Sequence, residues 1–520
     1  MSLFQLAAYG AVCCAVYYLV PRRVRWMFLL AASLGFYAFR AAACLPFILL
    51  TALSVWGAAL KMGRISEACE AQISEKKDSL APADRKNLRR KAKGRKRAVM
   101  LAALVLNFAI LAVLKYTDDV RGWLGLSRLG LLLPLGISFY TFQSTGYLLD
   151  VYNGKTAPQR NPAKFCLFVS FFPQLLQGPI ARYDDLSAQL TEPHDFDAQT
   201  VKRGAVLLFW GLLKKLVIAD RVLPLVDAVF SAEAGSMGGA AAVVGVLAYS
   251  LQQYCDFSGG IDLVTGIAEL FGIRLAPNFK RPYFSVSLAD FWRRWHISLG
   301  AWMRDYVFYP FALTRPVTRL SKAAKKRFGA EFARALPAAL GNILVFLLVG
   351  VWHGATSNYI LWGLYNGVLL ALSALLEPAF RRWGERHAAL TSGRGFHVFR
   401  VLRTFVIVNI GWFFDRCAHA GDALSMMGRV VTDLRAEQIT AEWLGQCGLP
   451  APDAAVLAAY TLLLFGVSLA AERGVQVRDG LLRLPLPLRW ALLYALIFSV
   501  LIFGVWGSGF NEASFIYFQF

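Results

Sequence analysis

The stretch LPAALGNILVFLLVGVW (336–352), followed by His353-Gly354-Ala355 and then TSNYILWGLYNGVLLAL (356–372), decides the fold class. Seventeen nearly unbroken apolar residues rise roughly 26 Å at about 1.5 Å each, close to the ~30 Å hydrocarbon core of a bilayer. A second apolar block follows after a polar break, so the pair reads as two membrane crossings with an imidazole between them. An ionisable side chain past the midplane is a functional candidate, because neutral imidazole is tolerated there and a stray charge is not. Gly354 and Ala355 leave room beside the ring. The competing reading is a histidine hydrogen-bonded between helices for packing.

Outward from this pair, the whole chain follows the same pattern. Of its 520 residues 57% are apolar and 17% charged, against about 45–50% and 25% in soluble domains, and mean hydropathy is +0.48. A soluble chain this long would form about two to four domains with far more polar surface. Apolar spans recur near 4–20, 26–43, 44–60, 98–116, 203–219, 238–254, 336–352, 356–376, 398–415, 453–471 and 490–507. The expected fold is an all-α polytopic membrane protein with about ten to twelve crossings. Re-entrant or interfacial helices are expected around a central channel. Segment 131–152 carries Pro134, Ser138, Thr141, Gln143 and Asp150, too polar to face lipid, and 164–181, with Pro173, Gly178 and Pro179, reads as a broken element.

The net charge of +22 gathers between spans. Residues 21–25, 61–97, 315–334, 377–403 and 472–489 carry nearly all of it, which is the pattern of cytoplasmic loops under the positive-inside rule. The largest, 61–97, is expected to be a basic cytoplasmic loop, and the alternation of patches puts both termini outside the cytoplasm. No aromatics interleave with the Arg89–Arg97 run, which argues against nucleic acid. The eight cysteines show no metal-ligand spacing, so no metal is expected; Cys417 and Cys447 share one candidate outer loop, as two thiols or as a disulfide.

Segment 255–312 is the least membrane-like apolar stretch and suits short helices buried in the bundle or lying at the inner interface. In it, His296 has Asp290, Arg293, Arg294, Arg304 and Asp305 nearby in sequence. Either this is a solvated interfacial helix, or the Arg side chains with Lys280 and Arg281 meet an anionic cytoplasmic ligand while Asp290 orients one of them. No HExxH, Walker loop or GxSxG accompanies the histidines.

At these residues the chain resembles the membrane-bound O-acyltransferase superfamily, and within it the bacterial branch of alginate O-acetylation and teichoic-acid D-alanyl transfer proteins. The matching text is LLPLGISFYTFQSTGYLLDVY (132–152), SFFPQLLQGPIARYDDL (170–186), YCDFSGGIDLVTGIAELFGIRLAPNFKRPY (254–283), DFWRRWHISLGAWMRDYVFYPF (290–311), VWHGATSNYILWGLYNG (351–367) and FIYFQF (515–520). Two departures stand out. Phe311-Ala312-Leu313 replaces the usual Leu-Gly-Gly, and Phe413-Phe414-Asp415-Arg416 replaces a common Phe-Phe-Arg-Ala. They bear on the acceptor more than on the reaction.

The resemblance implies one integral membrane domain over 1–520, with a catalytic core at 130–420 and an extracytoplasmic tail at 507–520. It implies an enzyme passing an acyl group, acetyl first, from a cytoplasmic thioester to a cell-surface polysaccharide in the bacterial inner membrane. D-alanyl transfer to teichoic acid from a carrier protein is the alternative, and a transporter or flippase the reading of another class. His353 and His296 would be the catalytic pair, suited to proton transfer at neutral pH. Lys280, Arg293 and Arg294 would hold coenzyme A or carrier pantetheine phosphates, with Asn278, Asp290 and Asp256 supporting them. No permanent cofactor is expected; the donor is acetyl-coenzyme A or an acyl-carrier thioester. Tyr517 is either a transient acyl acceptor or an interfacial anchor, and the expected partner is a secreted esterase-like (SGNH-type) acyltransferase.

Overall fold

A computed structural model describes residues 3–76, 78–231 and 236–506. It is helical throughout, with no strand among the described residues. Seven helical stretches are long and apolar enough to cross a membrane: Arg22–Glu75, Pro82–Trp123, Arg315–His353, Ser357–Arg386, Arg394–Arg416, Ala451–Glu472 and Leu486–Phe503. The first contains two helices, Arg25–Ala41 and Leu45–Glu75, joined by the turn Ala42–Cys44. Leu3–Leu19 is apolar but shorter.

With the two helices of the first stretch taken separately and Leu3–Leu19 added, nine of the eleven expected spans appear, and the other two, 203–219 and 238–254, fall in helices too polar to be counted. Ile137–Asn153 and Gly239–Leu270 are largely buried within the protein, so they keep polar side chains that a lipid-facing span would lack. Several of these polar groups find internal partners instead. In Ile137–Asn153, Gln143 Nε2 donates to the Phe168 carbonyl (2.6 Å), and Ser144 and Thr145 donate to carbonyls one turn earlier.

Two expectations about local structure change. Residues 255–270 do not form short helices; they complete the 32-residue helix Gly239–Leu270, and the short helices begin only at Pro282–Phe284. Residues 61–97 are helical on both sides of a turn, because Leu45–Glu75 and Pro82–Trp123 each run well past their apolar parts. Lys and Arg are good helix formers, and the two arms are clipped by Arg89 donating twice to Glu70 (3.1 and 3.0 Å). All eight cysteines are free thiols, and Cys417 Sγ lies 3.7 Å from Met426 Sδ.

The chain divides into two compact units. One comprises residues up to Gly204 with Val264–Ala276; the other comprises Ala205–Leu263 and the chain from Pro277 onwards. In the first, buried Arg25 donates to the carbonyls of Val20, Tyr18 and His194. That places one of the Arg22–Arg25 cations in the interior of its unit.

The second unit holds the segments of chemical interest. Helix Ala198–Leu212 passes into a π-helical turn, Leu213–Ala219, before Asp220–Phe230. Its Gly211 packs on Gly259 so closely that an added Cβ would lie 2.5 Å from the Gly259 carbonyl. This approach lets lysines of one helix reach carboxylates of the other. Helices Arg315–His353 and Ser357–Arg386 are also pressed together: a Cβ on Gly350 would sit 2.4 Å from the Tyr359 carbonyl, and one on Gly363 2.5 Å from that of Phe346. Gly329 (φ 85°) kinks the first of these helices, separating a basic N-terminal part from the apolar crossing that ends at His353.

Candidate active site

His353 is the last residue of its helix and 6% exposed. Its ring stacks on Tyr359 (5.8 Å between centroids) and meets the edges of Trp362 (5.1 Å) and Trp352 (4.9 Å). Gly354 makes this possible, since a Cβ there would lie 2.6 Å from the Tyr359 ring.

His296, 3% exposed, precedes the short helix Ile297–Met303 and holds a left-handed backbone (φ 45°). Such a conformation costs a residue with a Cβ about 1–3 kcal/mol and persists where the surroundings fix it. Here they do: Lys280 N donates to the Arg294 carbonyl (2.9 Å) and Ile297 N to the Asn278 carbonyl (3.0 Å), tying the 278–280 segment to the turn. Asn278 Oδ1 accepts from Ser298 N and Oγ (3.0 and 2.9 Å) and lies 3.3 Å from His296 Nδ1. Nδ1–H donating to that oxygen leaves Nε2 as the basic nitrogen. The ring abuts Phe257 at 4.9 Å and Trp352 at 6.4 Å, so one indole touches both histidines.

The two imidazoles line a single cavity of about 390 Å³. Its wall includes Trp292, Trp295, Trp362 and Trp412, giving an apolar chamber with few polar groups, the usual make-up of a small-molecule site. Arg293, with a side chain 72% exposed, and Arg304, 57% exposed, also line it and supply positive charge at its solvent side. Gln253, Asp415, Asn342 and Tyr309 add further polar groups to the lining.

The remaining sequence candidates lie elsewhere. Arg294 is engaged by Asp290 (3.2 Å) and Glu472 (2.8 Å), and Glu472 also holds Arg281 (2.5 Å). Burial works against the Arg294 charge, but these carboxylates outweigh it and hold the guanidinium above its usual pKa. Asp290 accepts from Val286 N (3.3 Å) and tethers Arg293 loosely (3.7 Å). Asp256 is ion-paired with Lys215 (2.5 Å), which also binds Asp220 (2.8 Å); neighbouring Lys214 binds Asp262 and Ser258 (both 2.8 Å). Lys280 is exposed and outside the cavity lining. Tyr517 lies outside the described residues. The structure thus brings together His353, His296 and Arg293 from the sequence set, and adds Arg304, Gln253, Asp415 and the tryptophans.

Comparisons with known proteins point the same way. Residues 159–408 match the family model described as MBOAT, membrane-bound O-acyltransferase family. A probable alginate O-acetylase of Pseudomonas syringae pv. tomato is 34% identical over 428 residues, covering 79% of this chain and 71% of that protein. A peptidoglycan O-acetyltransferase of Helicobacter pylori is 31% identical over 368 residues, 65% of each chain. A teichoic acid D-alanyltransferase of Bacillus subtilis is 30% identical over 291 residues, covering 54% of this chain and 67% of its own. For other alginate-type relatives the match spans about half of their length, 54% in Pseudomonas fluorescens.

Proposed function

The chain belongs to the membrane-bound O-acyltransferase family, and on that premise we propose that it moves an acetyl group from a cytoplasmic thioester to a hydroxyl of a cell-surface polysaccharide. The observation that carries this reading is the shared cavity. His296 and His353, 57 positions apart in sequence, line one apolar chamber whose solvent side bears Arg293 and Arg304.

The chemistry follows from that arrangement. A thioester has a good leaving group, so the demand falls on the incoming alcohol, whose oxygen must lose a proton as it attacks. His353 takes that proton while the new C–O bond forms at the acyl carbon. The C–S bond then breaks, the departing thiolate recovers a proton from the His353 imidazolium, and the basic Nε2 of His296 accepts a hydrogen bond from the thiol so formed. Arg293 and Arg304 bind the donor's phosphates at the entrance, as charge-assisted pairs. The tryptophan wall excludes water, which protects the thioester from hydrolysis and strengthens each polar contact inside.

Acetyl is preferred because the alginate-type and peptidoglycan relatives are O-acetyl enzymes by name. The similarity to a teichoic acid D-alanyltransferase supports a second reading, in which the donor is a D-alanyl carrier protein. On either reading the enzyme is a multi-pass protein of the bacterial inner membrane with both termini outside the cytoplasm. Tyr517 then relays the acyl group by transient esterification to a secreted esterase-like transferase.

Radiolabelled acetyl-coenzyme A added to membranes tests the main reading. His353→Ala is expected to lower transfer by about 100-fold or more. Transfer within a few-fold of wild type would remove the general base from the account. Intact-mass analysis of the C-terminal peptide during turnover checks the relay, which requires an added acyl group and its loss in Tyr517→Phe.

A further inference from the structure

In the same cavity wall as the histidines lies a carboxylate that proton transfer does not use. Asp415 stands on the helix Arg394–Arg416, three residues after Trp412, and both side chains line the chamber. Asp415 is 4% exposed. One of its oxygens is well held: Oδ2 accepts from the Tyr249 hydroxyl (2.6 Å) and from Gln253 Nε2 (2.9 Å). The other, Oδ1, is buried with no hydrogen-bond partner, and so is the neighbouring Gln253 Oε1.

Elsewhere in this unit buried carboxylates are answered by lysine: Asp256 and Asp220 share Lys215. Asp415 has no such cation, and adjacent Arg416 is taken by Asp227 (2.5 Å). A native interior rarely leaves a carboxylate oxygen unmet, because the desolvated acceptor destabilises the fold unless something arrives to bind it. Trp362 adds the complementary group, a buried indole N–H that also lacks a partner. Acceptors and an N–H donor in one apolar chamber suit a group that both gives and takes a hydrogen bond.

We propose that Asp415 is a substrate-contacting, specificity-determining residue whose Oδ1, with Gln253 Oε1, accepts a hydrogen bond from an O–H or N–H that the substrate carries into the cavity. The proposal rests on the reading of this cavity as the acyl-transfer chamber. The donor group is either the hydroxyl of the acceptor alcohol or an amide N–H of the thioester's pantetheine arm. Tyr249 is a positioning residue that fixes the carboxylate so that Oδ1 faces inward. A site built this way discriminates strongly against a substrate lacking the donor, since its buried acceptors would then stay unmet.

Asp415→Asn tests this with little change in volume. Its amide oxygen keeps the bonds from Tyr249 and Gln253, while the atom facing the cavity becomes an N–H donor. Full-length protein in membranes is assayed for thiol release and label transfer, with acetyl-coenzyme A titrated at fixed alginate oligosaccharide and then the reverse. One KM is expected to rise about 10- to 100-fold while the other holds. A rise for the oligosaccharide assigns the donor to the attacking hydroxyl; a rise for acetyl-coenzyme A assigns it to the pantetheine amide. Asp415→Glu, which restores a carboxylate, should recover part of the loss. If Asp415→Asn fails to accumulate, Asp415→Glu carries the test through a severalfold KM rise from its displaced oxygen. Both KM values within twofold of wild type overturn the proposal whatever happens to kcat. Should His353→Ala abolish transfer in the same membranes, only the Asp415 assignment falls; full transfer in His353→Ala removes both.

Discussion

Around the π-helical turn Leu213–Ala219, Lys214 and Lys215 meet Asp262, Asp256 and Asp220 at 2.5–2.8 Å, and every charge has an opposite beside it. Around the cavity, Asp415, Gln253 and Trp362 are buried as deeply, and each has a polar atom without a hydrogen-bond partner. Both clusters would look alike in a list of buried polar residues. The difference is in what completes them. In the lysine cluster the protein itself supplies the counter-charges, and the cluster serves the fold by holding the Gly211–Gly259 crossing together. The cavity set is left for a ligand to complete, which is the arrangement expected where binding and chemistry take place.

The sharpest way to break this contrast is to remove a charge from the satisfied cluster. Lys215→Met leaves Asp220 and Asp256 buried with no cation between them. It should destabilise the protein by about 3–5 kcal/mol, read as a lower unfolding temperature in detergent, with activity falling only as folded protein is lost. Next comes packing at the helix pair that delivers His353. Gly350→Ala forces a methyl against the Tyr359 carbonyl at 2.4 Å. It should cost about 1–3 kcal/mol and reduce turnover as well, because the helix ends at the catalytic ring. Gly395→Ala, with nothing within 4 Å of its Cβ, is the neutral control. The smallest effect belongs to the cavity's solvent side. Arg293→Ala should raise the KM for acetyl-coenzyme A by about 3- to 10-fold with no shift in unfolding temperature, since that side chain is 72% exposed. A loss of stability there, or none in Lys215→Met, would undo the division of roles.

Much of this organisation could be read from residues alone, for identifiable reasons. The helices Ala451–Glu472 and Leu486–Phe503 have one buried residue each, Leu464 and Val500, so their apolar composition announces them. His353 and His296 stood out because an imidazole in an apolar run has few bland explanations. The continuity of Gly239–Leu270 was hidden because Gln252, Gln253, Asp256 and Ser258 look unlike a span until other helices cover them. Asp256 and Arg294 looked like ligand groups because they flank the motifs. The partners that claim them, Lys215 and Glu472, lie 41 and 178 positions away. Asp415 was visible only as a departure from a common Phe-Phe-Arg-Ala, with no sign that it would share a cavity with His296, 119 positions earlier.

The claim at the centre is that a thioester and a hydroxyl meet between the two imidazoles, and a structure of the full-length protein with a non-hydrolysable acetyl thioether of coenzyme A tests it most directly. The acetyl end should lie in the 390 Å³ chamber against His296 and His353, with the phosphates near Arg293 and Arg304. An occupied analogue whose acetyl end lies outside that chamber would contradict it.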